Sequence, residues 1–125
     1  MRATRSFDVA ANTTFTDPAV YTYASPRTGD PSFATTYNHV VQRTCRAANR
    51  MDLVPKLPLP PLYDHVAGLY DLNPVIFGIP PKILVKPEIA CEHILSTYLF
   101  LLTRQAGGVV LPLSAGCVPP TGGGA

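Results

Sequence analysis

The chain is 125 residues long, 46% apolar and 14% charged, with mean hydropathy of +0.15. That length allows one small domain, and that balance excludes wholesale disorder. A formal net charge of +2, with arginines not clustered among aromatics, excludes a nucleic-acid or anionic-membrane binder of the usual basic kind. Fourteen prolines against five phenylalanines and no tryptophan leave a thin supply of core residues for this length. Three cysteines, Cys45, Cys91 and Cys117, form no CxxC pair and no metal-ligand spacing, so neither zinc nor a disulfide framework is expected. Buried thiols in a reducing compartment are the expectation. The N-terminal stretch MRATRSFDVAANTTF is basic without an apolar h-region, so no secretory leader is expected and the chain as written reads as cytoplasmic. The longest apolar run, Ile94 to Leu102, is interrupted by Ser96 and Thr97 and is too short to span a bilayer.

The first element in chain order is FDVAAN (7–12), which reads as the last turns of a helix ending near Asn12. AVYTYAS (19–25) is aromatic and β-branched and is bounded by Pro18 and Pro26, the pattern of a strand. PRTGD makes a turn, and DPSFATTYNHVV (30–41) then opens with Asp30 at the N-cap and Pro31 at the first helical position. Its apolar residues at 33, 37, 40 and 41 predict a short amphipathic helix. RTCRAAN (43–49) reads as a second strand despite its alanines.

That strand delivers the chain to Asp52 and to a run in which Pro55, Pro58, Pro60 and Pro61 lock φ and remove backbone donors. An irregular surface loop is the plain reading, and a stiff mount for the Asp52 carboxylate is the sharper one. The run also contains PxxP twice, which would suit a polyproline II ligand. Against that, Lys56 is off the usual spacing, and Leu57, Leu59 and Leu62 read as residues meant for burial. DHVAGLYDL (64–72) alternates, with Val66, Gly68, Tyr70 and Leu72 on one side, and predicts a third, half-buried strand. NPVIFGIPPKILVKP (73–87) reads as mostly extended. CEHILSTYLFLLTR (91–104) is the strongest helical pattern, with Ile94, Leu95, Tyr98, Leu101 and Leu102 on one face. Glu92 stands in its first turn and Arg104 in its last, as the helix dipole prefers. Residues 105–125, rich in Gly and Pro, read as a disordered or loosely held tail outside the domain at 1–104. Strands alternating with helices predict an α/β layer structure with a largely parallel sheet.

The titratable groups that could plausibly act in chemistry are few: Asp30, Asp52, Asp64, Asp71, His39, His65 and His93. A serine-type hydrolase needs a nucleophile, a base and an acid that holds the base in the right tautomer. In α/β hydrolases these follow in the order Ser, Asp, His, on loops after strands. Asp52 and His93 meet that order for the second and third members. His39, inside an amphipathic helix, reads as structural, and His65 beside Asp64 reads as either a satisfied strand histidine or a pocket group. No G-x-S-x-G occurs: PLSAG around Ser114 has proline at the first glycine position, and Ser25 is followed by proline.

Three ordered blocks, VYTYASPRTGDPSFATTYN, CRAANRMDLVPKLPLPPLYDHVAGLYDL and CEHILSTYLFLL, resemble the second half of class 3 lipases, from about Phe7 to Leu102. The resemblance implies part of an α/β-hydrolase fold, the C-terminal half of the sheet with its flanking helices. It places the catalytic acid on Asp52 and the catalytic histidine on His93, with the nucleophile elbow in a part that would precede Phe7. It also implies a lipid or carboxylic ester as the substrate of an intact parent, which could itself be exported, and no cofactor or metal. The family often has glycine where Ala24 stands. A sheet cut at its first strand would leave Tyr21, Tyr23 and Val54 facing water and an exposed edge open to self-association.

Overall fold

The computed structural model describes residues 3–73 and 84–120. Three parallel strands, β1 (Ala19–Tyr23), β2 (Arg43–Asn49) and β3 (Leu69–Leu72), form one sheet in the order β1-β2-β3. The register pairs Ala19 with Arg43 through Tyr23 with Ala47, then Arg46 with Leu69 through Asn49 with Leu72. Helices α1 (Ala3–Asn12) and α2 (Pro31–Val40) accompany one face of this sheet. Helices α3 (Ile89–His93) and α4 (Leu95–Ala106) serve the other. This is a mixed α/β layer structure, consistent with part of an α/β-hydrolase sheet.

The local chemistry explains most boundaries. The Asp30 carboxylate accepts a 2.8 Å hydrogen bond from the Phe33 amide, satisfying one of the donors that a helix start leaves open, and Pro31 follows it. The α4 helix stops where Gly107 takes φ +76. Alternation in β1 buries Val20 and Thr22 while Tyr21 and Tyr23 point the other way, and Tyr21 remains 65% exposed. One core cluster gathers Ala10, Val20, Tyr37, Val41 and Val66 under α1 and α2. The other gathers Ala47, Leu72, Val85, Cys91, Tyr98 and Leu101 with Cys117. Ala24, at the end of β1, has φ +54, a left-handed conformation that glycine adopts without Cβ strain.

Several expectations are corrected. The third strand spans only 69–72, because Gly68 at φ +91 turns the chain against β2; a Cβ there would lie 2.0 Å from the Thr44 carbonyl oxygen. Val66 and Leu72, expected on one face, are buried in opposite cores. The single helix expected over 91–104 is two helices, broken at Ile94 (φ −70, ψ 152). Leu57, Leu59 and Leu62 are solvent-facing rather than buried, Leu62 at 76%; of this segment Pro55 is the buried member.

The cysteine reading is also overturned: Cys91 and Cys117 form a disulfide, and Cys45 alone is a free thiol. The pairing depends on the chain after α4 folding back, which residue spacing does not reveal. That return also ties down the segment expected to be loose. The Leu111 amide donates to Thr103 Oγ1, Leu113 packs on the second core, and the Lys86 amide donates to the Cys117 carbonyl. Most of the extended segment expected over 73–87 lies outside the described residues, as do residues 121–125. No helix among the described residues is long and apolar enough to cross a membrane.

Candidate active site

The chain leaves β2 at Asn49 and turns at once, the Asp52 amide donating to the Asn49 carbonyl at 3.0 Å. This turn drives the Asp52 side chain inward, where it is fully buried. Val54, which opens a short 3₁₀ turn (Val54–Lys56), donates its amide to Asp52 Oδ1 at 3.0 Å. The stiffness of the following segment therefore acts on the mount of the carboxylate and not on a path to solvent.

His93 approaches from the opposite layer. It is the last residue of α3, and the break at Ile94 that separates α3 from α4 lets its ring face the end of β2. His93 Nδ1 lies 2.9 Å from Asp52 Oδ2. With an ionised carboxylate as partner, Nδ1 carries the proton, and the lone pair resides on Nε2 at the opposite side of the ring. The His93 side chain is 40% accessible while its partner is wholly buried, so the exposed part is the ring edge away from Asp52.

Asp52 Oδ2 has a second donor, the Tyr98 hydroxyl at 2.7 Å, presented from the first turns of α4. The same hydroxyl accepts the Asn49 amide at 3.2 Å. A buried carboxylate thus meets three donors: Val54 N–H, Tyr98 O–H and His93 Nδ1–H. Such satisfaction is what makes burial of a charge tolerable. Burial above all, then the hydrogen bond to Asp52 and the charges of Asp52 and Glu92, push the Tyr98 phenol above its ordinary range, so it remains a donor.

Asn49 ties the two layers together. Its side-chain amide donates to the Glu92 carbonyl oxygen at 3.1 Å and to Glu92 Oε2 at 2.7 Å, while its own Oδ1 accepts the Met51 amide. Glu92 is buried instead of lying in solvent at a helix start. Burial first, and then the negative charge of Asp52, raise its pKa, opposed by the bond from Asn49. The Cys91–Cys117 disulfide and the bond from Thr97 Oγ1 to the Cys91 carbonyl hold α3 two residues before His93.

The remaining sequence candidates are not drawn into this pair. His39 is exposed on α2. His65 Nε2 lies 2.5 Å from the Pro55 carbonyl, and burial, followed by Arg46, holds its pKa below the ordinary value. Asp71 pairs with Arg50, and Asp30 caps α2. Among the serines, Ser25 donates to the Pro26 carbonyl, and Ser96 and Ser114 bond each other at 2.8 Å. Among the described residues no group of three or more His, Cys, Asp or Glu side chains is placed to hold a metal ion.

Residues 5–61 match the family profile described as lipase (class 3). Over that stretch, somewhat under half of its length, the chain is similar to class 3 lipases. The lipase match includes β1, α2, β2 and Asp52, and it ends before His93. No curated protein matches the chain. The resemblance read from sequence extends to Leu102, beyond the matched residues.

Residue reasoning alone did not single out Tyr98, Asn49 and Glu92. Tyr98 falls within an apolar helical stripe, yet a tyrosine among leucines carries a hydroxyl that needs a partner once buried. Asn49, a poor strand former at a strand end three residues before the acid, was the other available signal.

Proposed function

We propose that Asp52 and His93 are the acid and the base of a serine-dependent carboxylic ester hydrolase of lipase type. The observation that supports this most is the 2.9 Å contact between His93 Nδ1 and the buried Asp52 carboxylate, made by residues from two separate layers. In this reading His93 takes the proton of a serine hydroxyl at Nε2 and later returns one to the leaving alcohol. Asp52 holds the ring in the Nδ1–H tautomer and stabilises the imidazolium that forms. Tyr98 and Val54 hold the carboxylate aimed at the ring. None of the five serines stands in G-x-S-x-G, so the nucleophile is assigned outside these 125 residues. The substrate class is a lipid or other carboxylic ester.

Fusing the chain behind the elbow-bearing segment of a class 3 lipase tests the assignment. Ester turnover is expected, to be reduced about 10⁴-fold by Asp52→Asn, which favours the wrong tautomer. It should also be abolished by His93→Ala. Turnover indifferent to both substitutions refutes it. Without the fusion, a serine-directed phosphonate should label none of the five serines.

A second reading rests on the β1 edge, where Tyr21 and Tyr23 are exposed beside Cys45, Ala47, Tyr70 and Leu102 in a shallow apolar cleft. It makes the chain an interaction module that self-associates through its sheet edge. Light scattering on Tyr21→Lys against the unaltered chain separates the two, since only this reading requires a loss of mass.

A further inference from the structure

We propose that the cleft between the segment following β2 and the start of β3 is an oxyanion site for phosphate-type groups, with the Arg46 guanidinium at its floor. The inference is independent of the ester-hydrolase reading. The cleft has a volume of about 320 Å³ and is lined by Arg27, Arg46, Lys56 and His65 together with Asp52 and the Arg50–Asp71 pair.

Arg46 carries the argument. It belongs to the central strand, its residue is only 6% exposed, and its one described side-chain bond runs from Nε to the Val66 carbonyl at 3.2 Å. Among the described residues it forms no salt bridge, although a buried charge ordinarily has a counter-charge. The two carboxylates lining the same cleft are already engaged. Asp71 meets Arg50 at 2.8 Å, and Asp52 meets Tyr98, Val54 and His93.

The neighbouring groups add positive charge and not compensation. Arg27 directs Nη1 to the Lys56 and Pro58 carbonyls, which fixes its guanidinium beside the cleft. Burial first, and then the Arg27 charge, lower the Arg46 pKa; burial first, and then Arg46 and Arg27, disfavour protonation of His65, while the Pro55 carbonyl and Asp64 favour it. Three guanidinium groups and an ammonium around one concavity exceed what its two carboxylates neutralise. A phosphate-type dianion, which accepts bidentate bonds from planar guanidinium groups, suits that charge and geometry.

The test is a titration of the full chain with inorganic phosphate, followed by NMR of the His65 ring, at constant ionic strength maintained with chloride. A saturable His65 shift is expected with phosphate and none with chloride. Arg46→Lys should weaken binding about tenfold, since the planar fork is lost. Should that buried substitution unfold the chain, the exposed Lys56→Gln, expected to weaken binding about threefold, decides instead. Vesicles of phosphatidic acid that displace phosphate from the site, when phosphatidylcholine vesicles do not, identify a lipid headgroup as the source. Failure of both to displace it identifies free phosphate. No saturable shift, or the same affinity in the folded variants as in the unaltered chain, overturns the proposal.

Discussion

Replacing Tyr98 by Phe removes one oxygen and leaves the ring packed in the second core. The lost hydroxyl donates to Asp52 Oδ2 at 2.7 Å and accepts the Asn49 amide at 3.2 Å. A hydrogen bond to a charged group contributes about 1.5–3 kcal/mol, and an amide left buried without an acceptor costs about 1 kcal/mol more. The expected loss is therefore about 3 kcal/mol. For a chain of this size that corresponds to a fall of about 10 °C in Tm. Urea unfolding followed by circular dichroism measures it, and the midpoint should fall while the m-value stays unchanged. Val54 and His93 still serve the Asp52 carboxylate, so the loss should be well short of unfolding at room temperature in a chain of ordinary stability. A change below about 0.5 kcal/mol would mean that the hydroxyl does not satisfy these groups in solution, and the account of how Asp52 tolerates burial would fail with it.

Three further outcomes are expected. The Glu92 carboxyl has its pKa raised in the fold, so its favourable contribution is present below the ordinary value of 4.5 and is lost as pH rises through the folded value. Glu92→Gln, which keeps an acceptor for Asn49, should thus gain stability over the unaltered chain as pH rises, and urea midpoints across that range giving a constant difference would contradict it. Cys117→Ser opens a bridge between residues 26 apart, which by loop entropy costs about 3.5 kcal/mol; thiol titration of the denatured, unreduced chain should find one thiol, and three would disprove the bridge. Gly68→Ala places a methyl group 2.0 Å from the Thr44 carbonyl at a backbone φ of +91. A loss above about 2 kcal/mol is expected by denaturant titration, and a neutral result would mean that β3 begins otherwise.

The sequence by itself determined the local elements whose signals are short-range. Asp30 followed by Pro31 marks α2 because a cap and a fixed φ act within a few residues. The bounds of β2 could be read from RTCRAAN, and the candidate acid from the turn that follows it. The ordered blocks also sufficed for the lipase resemblance, which the match over residues 5–61 places on the same β1-α2-β2 segment.

Only the tertiary structure decided what depends on residues far apart. Period-two alternation continued through Gly68 because a pattern of residue types carries no record of φ; the close approach to Thr44 ends the strand there. Helical spacing continued through Ile94 for the same reason, yet the break is what turns His93 toward Asp52. The Cys91–Cys117 bridge follows from the return of the chain after α4. Burial of Tyr98 and Asn49 beside Asp52 unites positions up to 49 residues apart. A single sequence states each side chain's chemistry, but the low-polarity surroundings that turn a hydroxyl, an amide and a carboxylate into a supporting network exist only once both layers close on the sheet.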